Sequence, residues 1–189
     1  IAEKCEKERV RLVLDECFVQ FLTSGEEASM QLETGRFRYL FVLQAFTKIY
    51  AVPGIRLGYG ISSDKALLER METVRQPWSV STPAQAAGLS ALKEDHREEQ
   101  TRQLVKSERE RMEKELENLR IEYIPSEANF LLFNSEINWF EELKKRGILI
   151  RDCANYRGLG NGWYRMAVRL PEENDRLLEC MKQVLNERS

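Results

Sequence analysis

Three short apolar runs in the first third of the chain place the strongest constraint on its fold. They read VRLVLDE (10–16), YLFVLQAF (39–46) and RLGYGIS (56–62), and each has the length and the β-branched or aromatic content of a buried strand. Helical patterns or turns, such as the one at Pro53 and Gly54, separate these runs. The alternation predicts an α/β fold in which helices cover a mostly parallel sheet.

The rest of the chain predicts a smaller α+β region, reached through a connector rich in proline and serine. Four further apolar runs have the length of strands: 121–126, 129–135, 148–153 and 163–169. Three helical patterns accompany them: 83–119 with a bend near 95–97, 138–147, and a closing helix from Pro171. We therefore expect three segments, 1–75, a connector at 76–96, and a C-terminal domain at 97–189.

Composition excludes several classes of function. The 29 basic and 31 acidic residues nearly balance, so no global charge draws the chain to nucleic acid. No apolar run approaches the roughly 20 residues that a membrane helix needs. The four cysteines form no CxxC pair and His96 is the only histidine, so we expect no metal site and expect reduced thiols in the cytoplasm. The highly charged stretch 94–117 indicates a solvated helix.

Polar side chains follow the predicted strands of the first region. Asp15 ends the first strand, Lys48 follows the second, and Arg56 lies eight residues after Lys48 across a proline-glycine turn. In open α/β sheets, ligands bind beyond the carboxyl ends of the strands. These three residues are therefore our candidates for a binding site.

Two segments carry a resemblance to a known family. AFTKIYAVPGIRLGYG (45–60) resembles the cofactor-lysine segment of fold-type I pyridoxal phosphate enzymes of aminotransferase class I/II, and LVLDECFVQF (12–21) resembles their strand that ends in an aspartate. The resemblance implies the type I transferase fold, with 1–75 as the later part of the cofactor-binding large domain and 97–189 as the small domain. It also implies pyridoxal 5′-phosphate as cofactor.

The same resemblance implies a role for each candidate. Lys48 would attach the cofactor covalently, and Asp15 would hold a proton on the pyridine nitrogen, which makes the ring an electron sink. Thr47 and Arg56 would bind the phosphate, Arg56 through its planar pair of donors. Two positions depart from the family pattern. Phe18 stands where many relatives have a tyrosine that donates to the cofactor, and Ala45 stands where some relatives have a phosphate-binding hydroxyl.

A third segment narrows the expected reaction. ILIRDCANYRGLGNGWYRMAVR (148–169) resembles the threonine-phosphate decarboxylase branch of that family, a close relative of the histidinol-phosphate aminotransferases. The resemblance implies that Arg165 binds the substrate α-carboxylate and that Arg151 helps to bind its phosphate or carboxylate. We expect Arg157 and Arg169 to be surface arginines. The implied lyase reaction is decarboxylation of L-threonine O-3-phosphate to (R)-1-amino-2-propanol O-2-phosphate in cobalamin biosynthesis, in a homodimer. A histidinol-phosphate-type aminotransferase is the alternative from the same cofactor class.

Two alternatives belong to other classes of function. The chain opens on Ile1 rather than Met, so we expect a processed, trimmed or partial chain. The resemblance covers only the later part of the family's length, and the earlier part would supply a glycine-rich phosphate turn, a stacking aromatic and an asparagine. On this hypothesis the polypeptide is a non-catalytic fragment. A helical interaction module built on 94–117 would leave the Asp15, Lys48 and Arg56 set unexplained.

Overall fold

The computed structural model describes residues 1–94 and 96–188. The chain divides into two compact units, Ile1–Arg102 and Gln103–Ser189. The two units are defined by which residues pack together, and the boundary between them falls inside one helix, Arg97–Asn118. The predicted roles of the segments 1–75, 76–96 and 97–189 stay predictions.

A three-stranded sheet forms the centre of the first unit. Its strands are β1 (Leu12–Asp15), β2 (Leu40–Ala45) and β3 (Gly58–Ile61), in the order β1-β2-β3. β1 and β2 run parallel, with Asp15 opposite Leu43, whereas β2 and β3 run antiparallel, with Ala45 opposite Gly58. The predicted α/β fold is confirmed, but the expectation of a mostly parallel sheet is wrong for β3. The connection from β2 to β3 contains only one short helical turn, Phe46–Ile49, and a 3-10 turn, so it has no helix long enough to cross the sheet to a parallel neighbour.

One face of this sheet carries a cluster of buried apolar residues. Leu40 and Val42 of β2 are buried there with Phe37, which precedes the strand, and Leu12 and Leu14 of β1 pack against them. Residues two apart in a strand share a face, so the strand members of this cluster come from alternate positions of β1 and β2. Burial of this face fixes which side chains of both strands point inward, and the two strands end at Asp15 and Ala45.

Four helices belong to the first unit and a fifth begins in it. Their bounds are α1 (Ala2–Glu8), α2 (Phe46–Ile49), α3 (Lys65–Val74), α4 (Thr82–Ala91) and α5 (Arg97–Asn118), together with 3-10 turns that include Pro53–Ile55. Asp64 and Ser81 cap α3 and α4 through their side chains, as their types favour. The predicted bend falls between α4 and α5, and Asp95 of that bend lies outside the described residues.

The second unit is an antiparallel sheet packed with helices. Its strands are β4 (Glu122–Ile124), β5 (Phe130–Asn134), β6 (Arg151–Asp152) and β7 (Trp163–Ala167), in the order β4-β5-β7-β6. The helices α6 (Trp139–Lys145) and α7 (Pro171–Asn186) and most of α5 complete the unit. Asn138 caps α6, Gly147 follows it in the left-handed conformation, and Pro171 opens α7, as expected from the sequence. Across the described residues, no helix has both the length and the apolar character to cross a membrane.

Candidate active site

The predicted cofactor residues of the first unit gather at one end of its sheet. Asp15 is the last residue of β1, and Lys48 lies in α2, directly after the end of β2. Because β3 runs antiparallel and Gly58 pairs with Ala45, Arg56 also lies near this end. The strand register therefore brings the ends of three segments together, although they are far apart in sequence.

Asp15 is an exposed carboxylate held by its own turn. Its Oδ1 accepts a hydrogen bond from the backbone N–H of Cys17 at 3.1 Å. Hydrogen bonds from the thiol and the backbone of Cys17 lower the pKa of the Asp15 carboxyl, and the charge of Lys48 lowers it further. Asp15 is therefore anionic at neutral pH, and its carboxylate can accept a hydrogen bond from a protonated ring nitrogen.

Lys48 presents an accessible amine on a buried support. Its chain neighbour Ile49 and Phe46 of the same short helix are buried, whereas Lys48 itself is exposed. The Lys48 Nζ atom lies 5.3 Å from the ring centroid of Phe18, a distance at which an aromatic face attracts a cation. Asp15 and Lys48 stand at the same end of two neighbouring parallel strands, as a shared cofactor site requires.

The two predicted phosphate-binding residues flank this amine in sequence. Thr47 is half-buried and precedes Lys48 directly. Arg56 is exposed, has a left-handed backbone with φ 56°, and donates from Nη1 to the carbonyl of Pro53 at 3.0 Å. Among the described residues no carboxylate pairs with Arg56, so its guanidinium retains donors for an anion.

A buried carboxylate that sequence reasoning missed holds this region together. Glu16 accepts hydrogen bonds from Ser29 Oγ at 2.6 Å, from the Met30 backbone at 2.8 Å and from Gln44 Nε2 at 3.0 Å. These contacts join the end of β1 to β2 and to the loop before it. The available signal was alternation, because Glu16 follows Leu12 and Leu14 in steps of two and so shares their buried face.

The two predicted substrate arginines meet in the second unit. Arg151 of β6 lies directly opposite Arg165 of β7. The guanidinium carbon of Arg165 is 4.8 Å from the ring centroid of Phe130, and that of Arg151 is 5.9 Å from the ring of Tyr156. Neither arginine forms an ion pair with a described carboxylate, so the paired cations can accept an anionic ligand.

The neighbours of Arg151 and Arg165 are an amide and a buried thiol. Arg151 Nη2 donates to Asn155 Oδ1 at 3.3 Å. The thiol of Cys153 is buried beside both arginines. Burial raises its pKa, and the charges of Arg165 and Arg151 oppose that change. Of the two arginines expected at the surface, Arg157 is exposed, and Arg169 pairs with Glu173 at 2.7 Å.

Comparison with known proteins gives consistent matches over nearly the whole chain. The family model described as aminotransferase class I and II matches residues 1–180. A threonine-phosphate decarboxylase of Salmonella typhimurium is 36% identical over 98% of this chain and 51% of its own length. A histidinol-phosphate aminotransferase of Archaeoglobus fulgidus is also 36% identical, over 98% of this chain and 55% of its own. The chain thus spans about half the length of these relatives.

Solved structures agree with the fold. The histidinol-phosphate aminotransferase from Clostridium acetobutylicum matches with a TM-score of 0.92 and 30% identity, over 98% of this chain and 57% of that one. The enzyme of the same name from Sinorhizobium meliloti, solved in complex with pyridoxal-5′-phosphate, matches in fold with a TM-score of 0.79 and 20% identity, over 100% of this chain and 54% of that one. These matches confirm the type I fold that the resemblance implied.

Proposed function

Because the chain belongs to the aminotransferase class I and II family, we propose that it carries the lysine-bearing part of a pyridoxal 5′-phosphate site in a decarboxylase of L-threonine O-3-phosphate. The observation that carries this proposal is the placement of Asp15 at the end of β1 and of Lys48 just after the end of β2, its parallel neighbour. The family is pyridoxal phosphate-dependent, and this placement supports a cofactor site within the first unit.

The chemistry of the donor set fits the cofactor. Lys48 offers a primary amine for covalent attachment, and Asp15 offers an anion for the ring nitrogen. Thr47 and Arg56 offer a hydroxyl and a guanidinium for the phosphate. When bound, pyridoxal phosphate supplies an electron sink for the negative charge left at the substrate Cα.

Each residue then has a distinct task in the reaction. Asp15 holds a proton at the pyridine nitrogen, which it can do only while its carboxyl is ionised. The hydrogen bonds that lower the pKa of that carboxyl support this role. Lys48 delivers a proton to the Cα atom after carbon dioxide leaves. The exposure of the Lys48 side chain is compatible with such a transfer.

The substrate class is proposed from the arginine pair. Arg151 and Arg165 provide two cationic groups on adjacent strands, and threonine phosphate carries two anionic groups, a carboxylate and a phosphate. We assign Arg165 to the α-carboxylate and Arg151 to the phosphate. The product would be (R)-1-amino-2-propanol O-2-phosphate, as in the cobalamin pathway.

A histidinol-phosphate-type aminotransferase is the second candidate. A relative named for that activity is as similar to this chain as the named decarboxylase is, at 36% identity. The same residues would serve, with Lys48 removing the proton from Cα instead of supplying one there.

The deciding experiment uses the cofactor-loaded protein and isotopically labelled L-threonine O-3-phosphate. For the decarboxylase we expect carbon dioxide release with no keto acid present. Turnover that requires 2-oxoglutarate and leaves the carboxyl carbon in the product would contradict the decarboxylase and support the aminotransferase.

The state of the whole protein is part of the proposal. We propose a homodimer in the cytoplasm, which light scattering and cell fractionation test. The fragment alternative has its own measurement, because it predicts a purified species near 22.1 kDa without cofactor absorbance. A visible cofactor band in that species would contradict the fragment hypothesis.

A further inference from the structure

The proposed cofactor lysine stands on a helix of a single turn. That helix, α2, covers Phe46–Ile49, and Ala51 just after it donates its backbone N–H to the carbonyl of Lys48 at 3.0 Å. One helical turn fixes several backbone torsions for very few hydrogen bonds, so it has no stability of its own in water. The position of the Lys48 amine therefore depends on the contacts that hold α2 from outside.

Two sets of contacts hold α2 in place. At its start, the backbone N–H of Phe46 donates to the carbonyl of Leu57 at 3.1 Å, and the side chains of Phe46 and Ile49 are buried. At its end, the ring of Tyr50 stacks on that of Phe46, with centroids 5.1 Å apart, and the Tyr50 hydroxyl donates to Glu98 in the first turn of α5. The contact with Glu98 thus ties the end of α2 to a helix that lies far along the chain.

We propose that Glu98 is a positioning residue for Lys48, and that it acts through the hydroxyl of Tyr50 to hold α2 where the amine can attach the cofactor. This inference rests on the proposed function. A hydroxyl that donates to a carboxylate forms a charge-assisted hydrogen bond, roughly twice as strong as one between neutral groups. Tyr50 and Glu98 are both half-buried, so water competes less for this bond than it would at an exposed pair.

This contact should affect covalent attachment more than recognition of the cofactor. Attachment requires the Lys48 amine in one place, and a misplacement of about 1 Å can cost about 100-fold in rate. Of the residues proposed to recognise the cofactor, Asp15 and Arg56 lie on other segments, and Thr47 lies beside Phe46, where the sheet holds α2. Lys48 lies nearer the end that Tyr50 and Glu98 hold.

The first experiment uses the cofactor-free protein and no activity. Tyr50→Phe removes one oxygen atom and keeps the ring stack on Phe46, so it deletes only the contact with Glu98. In site-resolved hydrogen exchange, the Ala51 amide, which donates to Lys48, should exchange about tenfold faster than in wild type, whereas the amides of β2 should be unchanged. Exchange of the Ala51 amide at the wild-type rate would overturn the inference.

Tyr123→Phe is the matched control. Tyr123 donates its hydroxyl to Glu117 Oε1 at 2.8 Å in the second unit, which contains none of the proposed cofactor residues. This variant therefore also removes a tyrosine–glutamate hydrogen bond, and it should leave the exchange of the Ala51 amide unaltered. Equally fast Ala51 exchange in both variants would indicate a general loss of stability and would contradict a specific role of Tyr50.

The second experiment separates attachment from recognition. Pyridoxine 5′-phosphate has an alcohol where pyridoxal 5′-phosphate has the aldehyde, so it can occupy the same site but cannot bond to an amine. Tyr50→Phe and Glu98→Ala should each slow the borohydride-trapped capture of pyridoxal phosphate about tenfold, and should leave the dissociation constant of pyridoxine phosphate within about twofold of wild type. If both ligands are affected by the same factor, or neither is affected, the inference is wrong.

Two further variants show whether Tyr50 and Glu98 act as one contact. Glu98→Gln keeps an oxygen acceptor for the Tyr50 hydroxyl and should restore most of the capture rate. Tyr50→Phe combined with Glu98→Ala should slow capture no more than either single change, because both remove the same hydrogen bond. Losses that add in the double variant would contradict the action of Glu98 through Tyr50.

The two experiments separate failure of this inference from failure of the proposed function. A wild-type protein that never captures pyridoxal phosphate contradicts the proposed function, whereas the exchange of the Ala51 amide still decides whether Glu98 holds α2. Normal capture in wild type together with unaltered capture in Tyr50→Phe contradicts only the positioning role.

Discussion

Lys48 owes its accessibility to the residues beside it. Ile49 is fully buried and Phe46 is 7% exposed, so the short helix α2 is fixed at its base while Lys48 remains in solvent. Phe46 also stacks against Tyr50 with ring centroids 5.1 Å apart. A rigid backbone with an exposed amine suits a residue that must attach a ligand.

Replacement of Lys48 tests its role as the cofactor anchor. Lys48→Ala should abolish the visible absorbance of the loaded protein, because no other amine is placed beside Asp15 among the described residues. Lys65→Ala, at the exposed start of α3, is the matched control and should retain the band. An intact band in Lys48→Ala would remove this residue from the site.

Phe18 offers a test of the aromatic contact with Lys48. The ring attracts the Lys48 ammonium by about 0.5–1 kcal/mol, the typical strength of an exposed cation–π contact, and capture by pyridoxal phosphate breaks that contact. Phe18→Leu should therefore speed covalent capture of pyridoxal phosphate about two- to fivefold, measured by borohydride trapping and mass spectrometry. Phe18→Tyr keeps the aromatic face. Equal capture rates in Phe18→Leu and wild type would show that the contact does not control the amine.

At the scale of elements, the first two turns of α5 contact the segments on both sides of the proposed site. Tyr50, just after α2, donates its hydroxyl to Glu98 in the first turn of α5. One turn later, Arg102 Nε donates to the carbonyl of Gln20, five residues after Asp15, at 2.9 Å. The start of α5 thus fixes the loops that follow both proposed cofactor residues.

The pairing of β2 with β3 depends on a glycine. A Cβ atom added at Gly60 would overlap the ring of Phe41, which is buried on β2. Gly60→Ala should lower the free energy of unfolding by about 1–3 kcal/mol, the usual cost of overpacking, as measured by chemical denaturation. Gly35→Ala is the control, because its Cβ meets nothing within 4 Å. Equal losses in the two variants would rule out the steric explanation.

At the scale of the whole molecule, each unit has its own means of stabilisation. The second unit buries Leu131 and Phe133 of β5 with Trp139 of α6, and it also contains an ion pair whose carboxylate, Glu108, is buried while Arg111 is partly exposed. Glu108 accepts from Arg111 Nη2 at 2.8 Å and from Asn174 Nδ2 at 2.7 Å. This network joins α5 to α7 inside one unit.

The ion pair makes the stability of the second unit depend on pH. The hydrogen bond from Arg111 is the largest cause that lowers the pKa of the Glu108 carboxyl below its usual 4.5. A lowered pKa stabilises the folded state above the unfolded value, and that stabilisation is lost as pH falls through the folded value. Acid should therefore weaken this unit through Glu108.

Glu108→Gln isolates that contribution. At neutral pH we expect the free energy of unfolding to fall by roughly 1–3 kcal/mol, because Arg111 loses a charged partner, and the difference from wild type should shrink toward zero in acid. Glu110→Gln, exposed on the same helix, is the control. A loss that persists unchanged in acid would contradict the assignment to this carboxylate. The readout is denaturation as a function of pH.

Local features of the sequence predicted much of this structure. Short apolar runs located β1 and β2, side-chain caps located the starts of α3 and α6, and proline located the start of α7. These signals are short in range, since a cap or a strand pattern acts within a few residues. The motif around Lys48 indicated the family by the same local means.

Tertiary structure decided what depends on residues far apart in sequence. The antiparallel direction of β3, the burial of Glu16 against Gln44, and the opposition of Arg151 to Arg165 all arise from strand pairing. A period-two pattern identifies which face of a strand is buried, but it carries no record of which strand lies beside it or in which register. The sequence therefore determined the candidate residues, and the packing of the sheets determined which of them meet.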